Sequence, residues 1–421
     1  MPRILLAILV LVLAQPATAA QPAVPVAKIV IVQPQADQQL IGGVEVRIKV
    51  ELPTGAAEPK AIYVGLGGAP WTELKQDSGE WMAQIDTTLV PNGVQKLIVI
   101  SDNRKVNTAI NVTADNPLKV WFADLHSHTG YSDGTLIPAV AHDYARNTAK
   151  LDVFCLTDHL EAVDDNEWLD TREVAWDANE DGKFVVFPGL EWTKKWGHIN
   201  IYDPKTRIWP TDPAEFYKAA ADAGVVTKFN HPGDGTVSHS GLEYSETGDK
   251  TVQLMEVRGL PEEKAFIRAL NFGWHIAPEG SSDTHSANWG NVRSWTGILA
   301  PGLSKRTILD ALARRHCYST LDRNCLLTFT VNGASMGEII KEPVQDVKVE
   351  IAVEDTDDDP TAKIELFEDG VVVQIDEPNA AKRKWQTTCT PKPGKHYYYA
   401  KVTQKDGNLL WSAPVWVTIA K

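Results

Sequence analysis

Seven short apolar runs lie between residues 119 and 285, and most of them are closed by a histidine or an acid. They read VWFADLH, LDVFCLTDH, FVVFPGLEW, GHINIYD, VVTKFNHP, VQLMEV and HIAPEGSSDTH. Between several of them lie amphipathic or alanine-rich stretches, PAVAHDYARNTA and PAEFYKAAADA. The second opens on Pro213, where a first-turn proline is preorganised for a helix. Strand and helix in alternation predict an α/β fold with a largely parallel sheet over residues 116–320. A stretch of about 200 residues is short for an eight-fold barrel and fits a distorted seven-stranded (β/α) barrel.

The flanks read differently. Residues 28–115 carry short alternating runs such as KIVIVQP, VEVRIKVEL and QKLIVIS, separated by Gly, Pro, Asn and Asp. Regular short strands with turn residues between them predict an immunoglobulin-like β-sandwich. Residues 321–421 return to the same alternation, with Asp369-Gly370 and Asp406-Gly407 as hairpin turn signals, and predict a second, C-terminal β-sandwich. At roughly 100–200 residues per domain, a chain of 421 residues accommodates this division.

The N-terminus reads as a targeting signal. Arg3 precedes the apolar run Ile4 to Ala14, which is shorter than the roughly 20 residues a bilayer span needs. Ala17-Thr18-Ala19 offers small residues for cleavage. Residues 1–19 are therefore expected to be a signal peptide and 20–27 a linker, which places the mature chain in the periplasm or outside the cell without a membrane span. The formal net charge of −14 argues against nucleic acid as a partner, since phosphates call for a basic patch. Cys155, Cys317, Cys325 and Cys389 are too few for a disulfide-built scaffold. Cys155 reads as a buried thiol, and Cys317 and Cys325 either pair or remain free.

The chemistry is concentrated where the central runs end. His126 and His128 close the first run, His159 the second, Glu191 the third, His231 the fifth, and Asp283 and His285 the last; His198 opens the fourth. In a parallel barrel, strand ends converge on one face, so ligands far apart in sequence meet. His126 and His128 stand at i and i+2, a spacing that points both imidazoles to one side of a strand, and Asp283 with His285 repeats it. A single histidine at a strand end is usually a hydrogen-bonded core or loop residue. Six of the chain's 11 histidines at such positions, with two acids, point to a metal site. Imidazole and carboxylate without thiolate suit zinc, manganese or iron in a catalytic rather than a structural role. Glu191 is the best bridging candidate, and water shared between two or three divalent ions would ionise near neutral pH. His142, His239, His316 and His396 read as structural, and so, on balance, does His275.

The motifs Asp124-Leu125-His126-Ser127-His128 through Asp133-Gly134, Thr157-Asp158-His159, Gly189-Leu190-Glu191-Trp192, Asn230-His231-Pro232-Gly233 and Ser282-Asp283-Thr284-His285 resemble those of the polymerase-and-histidinol-phosphatase (PHP) metallohydrolases over residues 118–320. The resemblance implies a trinuclear site. The first ion would take His126, His128, Glu191 and Asp283; the second Glu191, His198 and His231; the third Asp133, His159 and His285. Asp133 stands where some members have a histidine. Glu191, His231 and His285 are the residues expected to act most directly in catalysis. Segments around Cys317–Thr320, Val331–Gly333, Met336–Glu338 and Trp411–Pro414 resemble a secreted branch of the family that includes carbaryl hydrolase.

Two enzymatic readings follow, with a small ester as the partner. One is phosphoester hydrolysis by metal-bound hydroxide, with Lys194, Lys195, Lys228, Arg258 and Arg293 near the motifs as candidates to hold phosphate oxygens. The other is carbamate, amide or carboxylic ester hydrolysis at the same metals, with some of Trp121, Tyr131, Trp168, Trp192, Trp196, Trp274, Trp289 and Trp295 lining an apolar pocket. A non-catalytic binding protein is the third reading. A serine-nucleophile elbow is missing from the sequence.

Overall fold

The computed structural model describes residues 26–102, 107–233 and 239–420. The expected signal peptide and most of the linker lie outside the described residues. Among the described residues strands occupy 42% and helices 17%, so the molecule is mostly β rather than α/β.

Residues 28–114 form a four-stranded and a five-stranded sheet. They share one apolar core, in which Val46, Ile48 and Trp81 of the first sheet meet Val64, Leu97, Val99 and Val112 of the second. The alternation seen in the sequence is the cause: in Gly93–Ser101, the residues Gln95, Leu97, Val99 and Ser101 are all buried and their neighbours are more open.

The seven-stranded (β/α) barrel does not form. The central strands are divided between two open sheets, and no closed barrel is present among the described residues. Lys119–Asp124, Val153–Phe154 and Val185–Val186 pair in parallel, as expected. Gly189–Lys194 and Gly197–Tyr202, however, are joined only by Lys195 and Trp196, and a two-residue connection can link antiparallel strands alone. Trp295–Ala300 then returns antiparallel beside Lys119–Asp124, on the flank that a barrel would need for closure. Val185–Val186 and Gly189–Lys194 each end their own sheet, so the ladder does not run from one to the other. The second sheet continues through Val226–Phe229, Val252–Glu256 and Ala277–Glu279, the last three in parallel.

The first of these sheets does not stop at residue 320. Its strand Cys317–Thr320 pairs with Leu409–Ser412, and the ladder runs on through Gly394–Gln404, Thr361–Glu368 and Val371–Asp376. A further sheet of Ala334–Ser335, Cys325–Val331, Val347–Asp355 and Lys382–Cys389 packs on it through Leu327, Phe329, Val349, Ile351, Leu366, Tyr398 and Val402. All four cysteines are free and buried, so Cys317 and Cys325 are unpaired thiols. Among the described residues no helix is long and apolar enough to cross a membrane.

Candidate metal centre

The ends of the central strands are stitched together by backbone hydrogen bonds. His128 N donates to Thr284 O at 2.9 Å and Asp283 N to His126 O at 2.8 Å. Thr157 N donates to Ser127 O at 2.9 Å, Glu191 N to Asp158 O at 3.1 Å, and Asn230 N to His198 O at 3.0 Å. Segments that are distant in sequence are thereby held in register beyond the regular strands. Below them, buried Asp124 accepts from Ser282 N at 3.1 Å and from Gly290 N at 3.2 Å. His231 and Asp283 both adopt left-handed backbone, at φ 30° and 52°. Non-glycine residues rarely take that conformation, and it collects at functional sites where the surroundings enforce it.

All nine expected residues meet in space, without the barrel. Glu191 lies at the centre and is almost fully buried. Around its carboxylate stand His159 Nδ1 at 2.8 Å, His198 Nδ1 at 3.2 Å, His126 Nε2 at 3.3 Å, His231 Nε2 at 3.4 Å and His128 Nε2 at 3.7 Å. Asp283 Oδ1 is 3.2 Å from both His126 Nε2 and His128 Nε2. Asp133 contacts His285 Nε2 at 3.1 Å and His159 Nε2 at 3.4 Å. The donor atoms fall into overlapping groups: His126, His128 and Glu191; His126, His231 and Asp283; Glu191, His198 and His231; and His128, Asp133, His159 and His285. The last group adds His128 to the set expected around Asp133. Exposure rises from nothing at His126 and His128 to 39% at His285 and 57% at Asp133, so the centre opens on the Asp133 side.

The donor set fits divalent ions. His126 Nε2 and His128 Nε2 face each other at 3.3 Å, with two carboxylates beside them. Glu191 Oε2 is buried, and among the described residues no aligned hydrogen bond reaches it, although two imidazoles face it. Lone pairs converging in this way call for a cation between them. The electrostatics show the same demand for positive charge, which protons can also meet. Burial alone would depress the His126 imidazolium, but the Asp283 and Glu191 carboxylates outweigh it and hold the ring's pKa up to about 10. Burial would likewise raise Asp283 and Glu191. The surrounding imidazoles, His126 first, instead bring Asp283 to about 2 and Glu191 well below the usual carboxylate range. His128 goes the other way, lowered first by burial and then by His126 beside it.

Several supporting residues were not singled out as site residues from the sequence. Glu256 Oε2 stands 2.9 Å from His126 Nδ1. Asn230 Nδ2 donates to Glu191 Oε1 at 2.7 Å, and Thr193 Oγ1 stands 2.7 Å from His159 Nδ1. A glutamate inside the apolar run VQLMEV and an asparagine beside a ligand histidine were the available signals.

The candidate phosphate cations are mostly engaged elsewhere. Lys228 is fully buried against Glu256 and Glu279, Lys194 pairs with Glu161, and Arg293 binds Asn408. Arg258 pairs with Glu256 at the edge of the centre, and Lys195 is exposed on the hairpin turn. Trp192, Trp274 and Trp289 are buried core residues and line no open pocket; Trp289 Nε1 donates to His128 O at 2.9 Å. Four other histidines have partners of their own. His239 Nε2 contacts the carbonyl of His198, His275 pairs with Asp249, His316 with Glu338 and His396 with Asp369.

No family model matches the chain. An uncharacterized protein of Chlamydia muridarum is 23% identical over 139 residues, which is 30% of this chain and 22% of that protein. An uncharacterized protein of Chlamydia pneumoniae is 25% identical over the same length and shares. The chain thus spans about a fifth of the length of the curated relatives it matches. Among solved structures, an endo-β-1,4-mannanase from Thermotoga petrophila is similar at 19% identity and a TM-score of 0.20, over 21% of this chain and 20% of that one. Fibronectin(III)-like modules of Clostridium thermocellum CbhA are similar at 14% identity and a TM-score of 0.17, over 22% of this chain and 99% of theirs. Similarity at that level carries no argument about fold or activity.

Proposed function

We propose that this chain is an exported, metal-dependent hydrolase of ester bonds, acting on phosphoric esters. The observation that carries the reading is the crowding of imidazoles from separate chain segments around the single buried carboxylate of Glu191. The likeness of the ligand motifs to those of PHP metallohydrolases supports it. Divalent ions bound here would supply Lewis acidity, acidifying water and polarising a substrate oxygen.

The protein's part is to hold and orient. Glu191, His126, His128 and Asp283 would hold ions at the buried end, His198 and His231 at one side, and Asp133, His159 and His285 at the open side. Glu256, Thr193 and Asn230 keep His126, His159 and Glu191 in position. Asp133, Glu191 and Asp283 bring three negative charges. Two or three divalent ions would exceed that, leaving a net positive centre suited to an anionic phosphoester. The burial of Trp192, Trp274 and Trp289 in the core removes those three from an apolar carbamate pocket.

The test is metal analysis by mass spectrometry, followed by rates on p-nitrophenyl phosphate and on an aryl carbamate with the same metal-loaded sample. The proposal expects at least two ions per chain and faster phosphate ester turnover. Faster carbamate turnover would shift the reading to that chemistry, and a fully metallated protein inert to every ester and amide class would make it a binding protein. His128→Ala or Asp283→Ala should abolish turnover and lower metal content with the circular dichroism spectrum unchanged.

A further inference from the structure

Behind His126, on the side away from the centre, lies a buried chain of charges. Glu256 Oε2 is 2.9 Å from His126 Nδ1 and 2.9 Å from Lys228 Nζ. Lys228 Nζ is also 2.9 Å from Glu279 Oε2. Arg258 Nε lies 2.9 Å from Glu256 Oε1. The side chains of His126, Glu256, Lys228 and Glu279 have no exposure to solvent, and Arg258 is partly open. Two acids and two bases leave the group electrically balanced, as burial demands. Thr296 Oγ1 and Ser281 Oγ donate to Glu279 and complete its surroundings.

A carboxylate paired with two cations has no proton to give. The hydrogen of the His126–Glu256 contact must therefore sit on Nδ1. With Nε2 deprotonated, as ligation requires, a ring that keeps its proton on Nδ1 turns the lone pair of Nε2 toward Asp283 Oδ1 at 3.2 Å, Glu191 Oε1 at 3.3 Å and His128 Nε2 at 3.3 Å. The opposite tautomer would set the Nδ1 lone pair against Glu256 and a hydrogen into the space among the other donors.

We infer that Glu256 is a positioning residue: it fixes the tautomer and the plane of His126 so that Nε2 is presented as a ligand, and Lys228 and Arg258 anchor Glu256 for that task. The inference rests on the metal-centre reading above and adds to it a specific anchor for one ligand. An outer carboxylate that orients a ligating imidazole is typically worth roughly 10–100-fold in metal affinity.

Glu256→Gln keeps the shape and removes the charge. Zinc affinity is measured by competition with a chromophoric chelator, beside the wild type. The expected result is full zinc binding by the wild type and affinity roughly 10–100-fold weaker in the variant. Equal affinity in the two proteins would overturn the inference and leave the metal centre standing. A wild type that binds no divalent ion would overturn the centre itself and the inference with it. Should the variant not fold, the zinc-loaded wild type decides alone: long-range 1H–15N spectra must show His126 protonated at Nδ1, and protonation at Nε2 would overturn the inference.

Discussion

Removing the ammonium of Lys228 gives the sharpest test of how the interior behind the centre is held together. The Nζ atom sits 2.9 Å from each of two carboxylates, and all three side chains are fully buried. At an effective dielectric of about 20, each contact is an attraction of about 6 kcal/mol. Much of that offsets the desolvation of the three charges, so the pairing itself adds little net stability. Breaking it is a different matter. Lys228→Met forfeits both attractions and leaves Glu256 and Glu279 desolvated, which costs about 3–5 kcal/mol. Urea unfolding followed by circular dichroism reads this as a lower midpoint at unchanged slope. The double variant Lys228→Met with Glu279→Gln leaves Glu256 paired to Arg258 and should recover a large part of the loss. A single variant that loses less than about 1 kcal/mol, the range of an exposed pair, would refute the reasoning.

Three further outcomes are expected. His142 is buried on the helix Pro138–Asn147, and burial brings its pKa from 6.5 down to about 4. The unfolded chain thus takes up a proton that the native one refuses, so stability is complete above pH 6.5 and falls by about 3 kcal/mol as pH drops toward 4. His142→Leu should flatten that slope, and an identical slope in the variant would count against it. Gly280 precedes the Ser282–Asp283 segment, and a Cβ there would lie 2.3 Å from Trp295 O and 2.8 Å from Ser319 Oγ. Gly280→Ala should therefore destabilise by about 1–3 kcal/mol and reduce bound metal, read by thermal melting and metal analysis. Stripping the ions with a chelator should abolish turnover and lower the melting temperature, and zinc or manganese should restore both. Full activity after verified depletion would sink the metal proposal.

Seven of the nine candidate ligands were legible because they stand at the end of an apolar run, where side chains from separate strands gather whatever the sheet order; His198 opens its run instead, and Asp133 came from the resemblance alone. His126 and His128 needed only the two-residue repeat of a strand. The sheet order was less legible, since alternation of strand and helix does not state the direction of each pairing. One signal was present: only Lys195 and Trp196 separate two of the runs, too few for a parallel crossover. The roles of Lys228 and Glu256 were obscured because a charged residue in an apolar run can reach solvent or a buried partner with the same local pattern. Only the juxtaposition of VVTKFN with VQLMEV in neighbouring parallel strands pairs them.

The continuous ladder through Cys317–Thr320 and Leu409–Ser412 has a consequence for how the molecule comes apart. A chain cut after Thr320 would bare a row of backbone donors and acceptors two strands away from the one that leads into His126, an invitation to aggregation. The residues beyond 320 thus serve as a wall of the half that carries the candidate metal centre, and melting of the C-terminal hairpins should loosen that centre and any ion held in it.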